Sequence, residues 1–186
     1  MYQIILASQS PRRRQILKDA GINFESRSKD TNEDFSSDLP KEEVPVFLAK
    51  KKAQAFLPEL KKEELLITAD TVVIIKGEIL NKPADRAEAI QMLQKISGSM
   101  HEVVTGVCLT TLEKQICFSD LTKVYFLPLA QADIEYYVDT HKPFDKAGSY
   151  GIQEYIGYIG IEKIEGSYFN VMGLPIHKVI QQLRKF

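Results

Sequence analysis

Short apolar runs alternate with segments of helical period along this chain, and few folds accept that order. Residues 2–7 are apolar, and Ser10 and Pro11 then stand where a helix N-cap and a first helical position belong. Ile16, Leu17 and Ala20 give that helix an apolar side, Gly21 stops it, and residues 22–26 alternate like a second strand. Residues 28–41 are polar, acidic and without period, which predicts a loop. Residues 44–57 read as a helix with a basic flank, followed by Pro58. A run rich in Leu, Ile, Val and Thr covers 65–75, and Lys76-Gly77 looks like a hairpin turn into 78–80. Asp85-Arg-Ala-Glu88 has capping-box spacing and opens a helix that ends near Gly98. Strands are predicted over 102–111 and 115–127, a helix over 134–139, a loop over 141–153 and a strand over 158–164. Pro175 opens a last helix, 176–183. Helices alternating with strands, plus two strands joined as a hairpin, predict an α/β fold with a mixed sheet flanked by helices. No repeat, low-complexity tract or linker divides the 186 residues, which read as one domain.

Charge narrows the partners. The formal net charge is -1, whereas a duplex-binding protein carries a net basic face, so nucleic acid is not an expected partner. A small anion needs only a local basic patch. The two cysteines, Cys108 and Cys117, lie among apolar, β-like residues and read as reduced, buried thiols. His101, His141 and His177 have no spacing that suggests a triad or metal site. No basic leader precedes the first apolar run and no stretch is long enough to span a bilayer, so the expected location is the cytoplasm, with no membrane partner.

Several segments carry groups suited to chemistry. Ser8-Gln-Ser-Pro-Arg-Arg-Arg14 puts three arginines at the start of a helix. They are either a solvated basic first turn or an anion site; cations there oppose the helix dipole, which favours a bound anion, as backbone N–H groups and guanidinium forks do. Thr68-Ala69-Asp70-Thr71 is a polar break inside an apolar run. Asp70 ends a strand facing a ligand crevice, is partnered in the core, or caps a turn, and in the first case it suits proton acceptance or metal binding. Lys52 and Lys82 are lone lysines that suit either phosphate charge or solvent. Asn32-Glu33-Asp34 offers oxygen ligands of the kind Mg²⁺ takes. In 145–153, two glycines allow close approach of backbone to a ligand, and the Gln153 amide offers a donor and an acceptor, as the N3–H and carbonyl of uracil or thymine require.

Taken in order, these segments resemble the Maf family of nucleoside triphosphate pyrophosphatases. The matching stretches are Leu6-Ala-Ser-Gln-Ser-Pro-Arg-Arg13, Ala69-Asp-Thr-Val-Val73, Lys82-Pro83, Met92-Leu93 through Ser97-Gly98, and His101-Glu-Val-Val-Thr-Gly106. Asp145-Lys-Ala-Gly-Ser-Tyr-Gly-Ile-Gln153 and Gly166-Ser-Tyr-Phe-Asn-Val-Met-Gly-Leu-Pro175 follow. The resemblance implies a two-lobed α/β protein with a curved mixed sheet and a deep cleft, often a homodimer. It implies cleavage between the α- and β-phosphates with a divalent metal, Mg, Mn or Co. Asp70 matches the family's catalytic proton acceptor. Ser8, Arg13, Lys52 and Lys82 match phosphate-binding positions, and Glu33 matches a cleft position from which it would share the metal with Asp70. Arg12, Thr71 and Gln153 match the branch selective for dTTP and UTP. Thr68, and Asn81 before Lys82, depart from the glycines common at those positions. The family's association with septum formation also admits a nucleotide-binding regulator, and the same chemistry on a purine or methylated guanine nucleotide is a third reading.

Overall fold

The computed structural model describes residues 2–186. The first apolar run is β1 (Gln3–Ala7), followed by α1 (Pro11–Asp19), whose N-cap is Ser10 as its sequence position requires. Next come β2 (Phe24–Arg27), α2 (Val44–Phe56), β3 (Glu64–Ile75) and β4 (Glu78–Leu80). Lys76 and Gly77 both have positive φ, 48° and 75°, the backbone that a two-residue turn between twisted strands demands. Then follow α3 (Arg86–Ile96), β5 (Met100–Thr110), β6 (Gln115–Phe126), α4 (Gln131–His141) and α5 (Tyr155–Gly160). The chain closes with β7 (Ile161–Glu165), α6 (Tyr168–Val171) and α7 (Ile176–Leu183). At α3 the Asp85 carboxylate accepts from Glu88 N–H at 2.9 Å, and the Glu88 carboxylate accepts from Ala84 N–H at 2.6 Å.

The sheet is mixed, as expected. Its order is β2-β1-β3-β5-β6-β7, with β4 paired to β3 off that path. β1 runs parallel to both β2 and β3; β3–β4 and β6–β7 are antiparallel. The chain divides into two compact units. The first holds the chain up to Thr71, Thr105–Asp120 and Gly173–Phe186. Its core includes Ile5, Ala49, Ala53, Phe56, Leu66 and Cys108. The second holds Val72–Val104 and Leu121–Met172, around Leu93, Val103, Phe126, Tyr137 and Ile156.

Three expectations are corrected. Asp70 is not at a strand end: β3 runs unbroken through it. The β1 ladder, however, stops at the Ala7–Thr68 pair, so Asp70 lies two residues beyond the end of its parallel neighbour. The strand predicted over 158–164 begins as a helix, α5, and only then becomes β7. Its small residues are the reason. A Cβ on Gly157 would lie 2.1 Å from the Ile152 carbonyl oxygen, and one on Gly160 would lie 2.8 Å from Leu129, so the glycines let a tight helical turn pack where β propensity alone favours extension. Finally, the two cysteines are not free thiols. The turn after β5 brings Cys108 and Cys117 opposite each other, with Cα atoms 4.2 Å apart, and they are joined as a disulfide. Counting from the bond between Thr111 N–H and the Lys114 carbonyl, they fall at a non-hydrogen-bonded pair, where facing side chains come closest.

Candidate active site

The charged cluster in the first unit is built by two periodicities. Thr68 and Asp70 are two residues apart on β3 and so share a face. Ala49 and Lys52 are three apart on α2 and share a side. The buried Thr68 hydroxyl donates to the Ala49 carbonyl at 2.8 Å, which fixes strand against helix. That bond puts the Lys52 ammonium 2.6 Å from Asp70 Oδ1. Thr68 is thus a strut, which explains why a residue other than glycine serves there. The helix itself is held close to β5: a Cβ on Gly106 would meet the Pro45 and Val46 backbone at 2.3 Å.

Lys52 also bonds Glu33 Oε1 at 2.8 Å, so one ammonium serves two carboxylates. Asp70 retains 13% side-chain exposure, Lys52 18% and Glu33 48%. The group is reachable by water yet screened enough for its charges to matter. The carboxylates of Glu33 and Asp70 converge on one point and supply two hard oxygen donors. Among the described residues no third His, Cys, Asp or Glu joins them in a metal-type cluster.

The Ser8–Arg14 segment is more internally bonded than its sequence suggests. Ser8 Oγ accepts from Ser10 N–H at 3.2 Å, and Ser10 Oγ caps the helix by accepting from Arg13 N–H at 3.4 Å. Two backbone donors at the helix start are therefore spent on serine oxygens. The Arg13 guanidinium turns inward. Its Nε donates to the Gly173 carbonyl at 2.7 Å, one terminal nitrogen to the Ala69 carbonyl at 3.0 Å, and the other to Thr71 Oγ1 at 3.0 Å. Ser8 Oγ is a further acceptor at 3.4 Å, and Thr71 is bonded in turn to Thr105 at 2.9 Å. Burial pulls the Arg13 guanidinium below its ordinary value; Asp70 and Glu33 pull it back up, while nearby Arg12 lowers it further. It remains a cation. Arg14 donates to the Gln9 carbonyl at the surface.

Residues 3–186 match the model of the family described as Maf-like protein. The chain belongs to that family. Its curated relatives include a protein of Bacteroides fragilis named dTTP/UTP pyrophosphatase, 50% identical over 185 residues, 99% of this chain and 96% of that one. A Cytophaga hutchinsonii protein of the same name is 50% identical over 182 residues, covering 98% and 83% of the two chains. Among solved structures, the Ham1 protein of Staphylococcus aureus aligns over 98% of each chain, with TM-score 0.58 and 16% identity. That likeness concerns the fold alone.

The structure brings Ser8, Arg13, Glu33, Lys52, Asp70 and Thr71 together within the first unit of this Maf-like chain. Lys82 and Gln153 belong to the second unit. Lys82 is exposed just after β4, and the neighbouring Asn81 carbonyl accepts from Gly148 N–H at 3.2 Å. Gln153 Oε1 is buried with no hydrogen-bond partner among the described residues. Sequence reasoning missed Gly173, whose carbonyl anchors Arg13. The available signal was its place in a glycine-containing motif, and φ of 108° there explains the residue type. It also missed Lys146, a cation only 8% exposed.

Proposed function

We propose that the chain hydrolyses nucleoside triphosphates between the α- and β-phosphates, taking dTTP and UTP and releasing the monophosphate and pyrophosphate. The observation that carries this reading is the Asp70–Lys52–Glu33 cluster, a carboxylate still open to water beside a cation that a phosphate can claim. Family membership and the names of the relatives support the substrate class.

In this reading a triphosphate oxygen competes for the Lys52 ammonium and releases Asp70 from its ion pair. Asp70 then orients a water and takes its proton. The new P–O bond forms at the α-phosphorus, and the bridging oxygen leaves with its electron pair on pyrophosphate. Lys52, Lys82 and Arg13 offset the charge that builds on the phosphate oxygens. Arg13 does so at a fixed position, because its N–H groups are held by chain oxygens. Ser8 fixes the turn on which the phosphates rest. The two carboxylate oxygens fit a hard divalent cation that takes its remaining ligands from water and phosphate, so Glu33 and Asp70 would hold Mg²⁺, Mn²⁺ or Co²⁺. When bound, that ion would neutralise phosphate charge.

Gln153 reads the base. Its unpartnered buried oxygen is the acceptor that the N3–H of uracil or thymine needs, and its amide N–H can donate to the adjacent carbonyl. Arg12 and Thr71 complete the selective set, Thr71 through its grip on Arg13. The 5-methyl group is worth only about 1–3 kcal/mol in a hydrophobic pocket, so dTTP and UTP should both be accepted.

Hydrolysis of UTP in ¹⁸O-labelled water tests the bond cleaved. Label in UMP with none in pyrophosphate is expected; label in pyrophosphate would place the attack on the β-phosphorus and defeat the reading.

A further inference from the structure

A glutamine amide is a poor discriminator unless it is held. Turned one way it accepts from N3–H of uracil; turned over, it donates to N3 of cytosine and accepts from the amino group. Selection of uracil over cytosine therefore also needs the main chain at residue 153 held at one place against the base, so that one pairing is in better reach than the other.

We infer that Lys146, Glu154 and Tyr137 form a positioning clamp that fixes Gln153 for base reading; this rests on the Gln153 assignment above. Lys146 Nζ lies 2.8 Å from Asp145 Oδ1 and 3.2 Å from Glu154 Oε1. The other oxygen of Glu154 accepts a short hydrogen bond from the Tyr137 hydroxyl. That hydroxyl in turn accepts from Gly151 N–H at 3.0 Å, and Glu154 N–H donates to the Gly151 carbonyl at 3.0 Å. The carboxylate is folded so tightly over Gly151 that a Cβ there would meet it at 2.7 Å. On the other side, the Ile152 carbonyl is pressed against Gly157. Gln153 is thus bracketed: both flanking residues are bonded or packed, the buried Tyr137 reaches across from α4, and a buried ammonium holds the ring closed. A buried cation without such partners is costly, so the charge pair itself argues that this geometry is retained. The clamp holds the main chain that carries Gln153, so the amide meets a base from one place, and its Oε1, without a partner among the described residues, is left for a ligand.

The test is the ratio of kcat/KM for UTP to that for CTP, measured on one preparation so that loss of folded protein cancels. Gln153→Ala should collapse the ratio; if it does not, the base-reading assignment fails and the clamp with it. Given that collapse, Lys146→Met and Glu154→Gln should lower the ratio about tenfold or more through a raised KM for UTP, with kcat retained. Tyr137→Phe should act in the same direction, and Lys146→Arg should restore the ratio. If Lys146→Met does not fold, Glu154→Gln decides. Wild-type ratios in Glu154→Gln and Tyr137→Phe, alongside a collapsed ratio in Gln153→Ala, would overturn the clamp alone.

Discussion

The chain uses the same trio twice, a lysine between two carboxylates, and the two versions behave differently. In the first unit Lys52 bridges Glu33 and Asp70; in the second Lys146 bridges Asp145 and Glu154. Lys52 is 18% exposed and its partner Glu33 is 48% exposed, so water and an incoming anion can compete for the ammonium. Lys146 is 8% exposed, and its partner Glu154 is tied again to Tyr137. An ion pair that can be exchanged suits chemistry. The more enclosed Lys146 ammonium, with Glu154 tied again to Tyr137, suits position, although its other partner Asp145 is 54% exposed. Charge type and count do not separate the two roles; access does.

Replacing each lysine by methionine should break the likeness. Lys52→Met should lower kcat/KM for UTP by about 10²–10³-fold through kcat, the loss expected for one charge-stabilising donor in a site. Lys146→Met should instead cost about 3–5 kcal/mol of stability by leaving Glu154 uncompensated, its kinetic effect being the rise in KM for UTP with kcat retained. Urea unfolding beside initial-rate kinetics measures both. Equal effects of the two substitutions would remove the distinction.

The helix that carries Lys52 gives the next largest effect. Gly106→Ala pushes a methyl into the Pro45–Val46 backbone, so α2 must shift. A loss of about 1–3 kcal/mol is expected, as for overpacking elsewhere, together with reduced turnover because Lys52 moves with the helix. A thermal melt and a rate assay on the same variant check it. Unchanged turnover would show that the placement of α2 is not critical.

The second unit makes a smaller, pH-dependent prediction. Its His101 is buried, bonded to Tyr150 at 2.7 Å, and desolvation lowers its pKa from 6.5 to about 4. Burial also pushes the Tyr150 hydroxyl well above its ordinary value. The folded state resists protonating His101, so its contribution is intact above about pH 6.5 and is lost as pH falls towards 4. Linkage puts the loss at about 2 kcal/mol by pH 5. Comparison of wild type with His101→Phe in urea at pH 7 and pH 5 isolates it. A parallel slope in both proteins would contradict burial as the cause.

Much of this was legible in the residues. Period and capping residues located α1, α3 and the Lys76-Gly77 turn, because those signals are local. Among the candidate residues of the first unit, Arg13 and Asp70 stand out in the sequence, an arginine at a helix start and a carboxylate within an apolar run, whereas Lys52 and Glu33 read alone as surface residues and only the family resemblance joined them to the set. What was not legible depended on neighbours distant in sequence. Asp70 lies within β3 but beyond the end of β1, a fact of register between strands far apart in sequence. The helix α5 forms because Gly157 and Gly160 meet Ile152, Leu129 and Phe126, which overrides a β-like composition. Cys108 and Cys117 pair because the hairpin register places them opposite each other. Lys146 looked like any loop lysine until Glu154 and Asp145 closed around it. The inward turn of Arg13 needed Gly173, 160 residues away, to be seen.

The proposed chemistry depends most heavily on Asp70. Pyrophosphate release from UTP should be measured with Asp70→Asn beside wild type, with Mg²⁺ or Mn²⁺ present and the two melting temperatures compared. Asparagine keeps the shape and cannot take the proton, so kcat should fall about 10²–10⁴-fold while the melting temperature stays close to that of wild type. A folded Asp70→Asn protein that turns over UTP at near-wild-type rate would contradict the assignment of Asp70 as the proton acceptor.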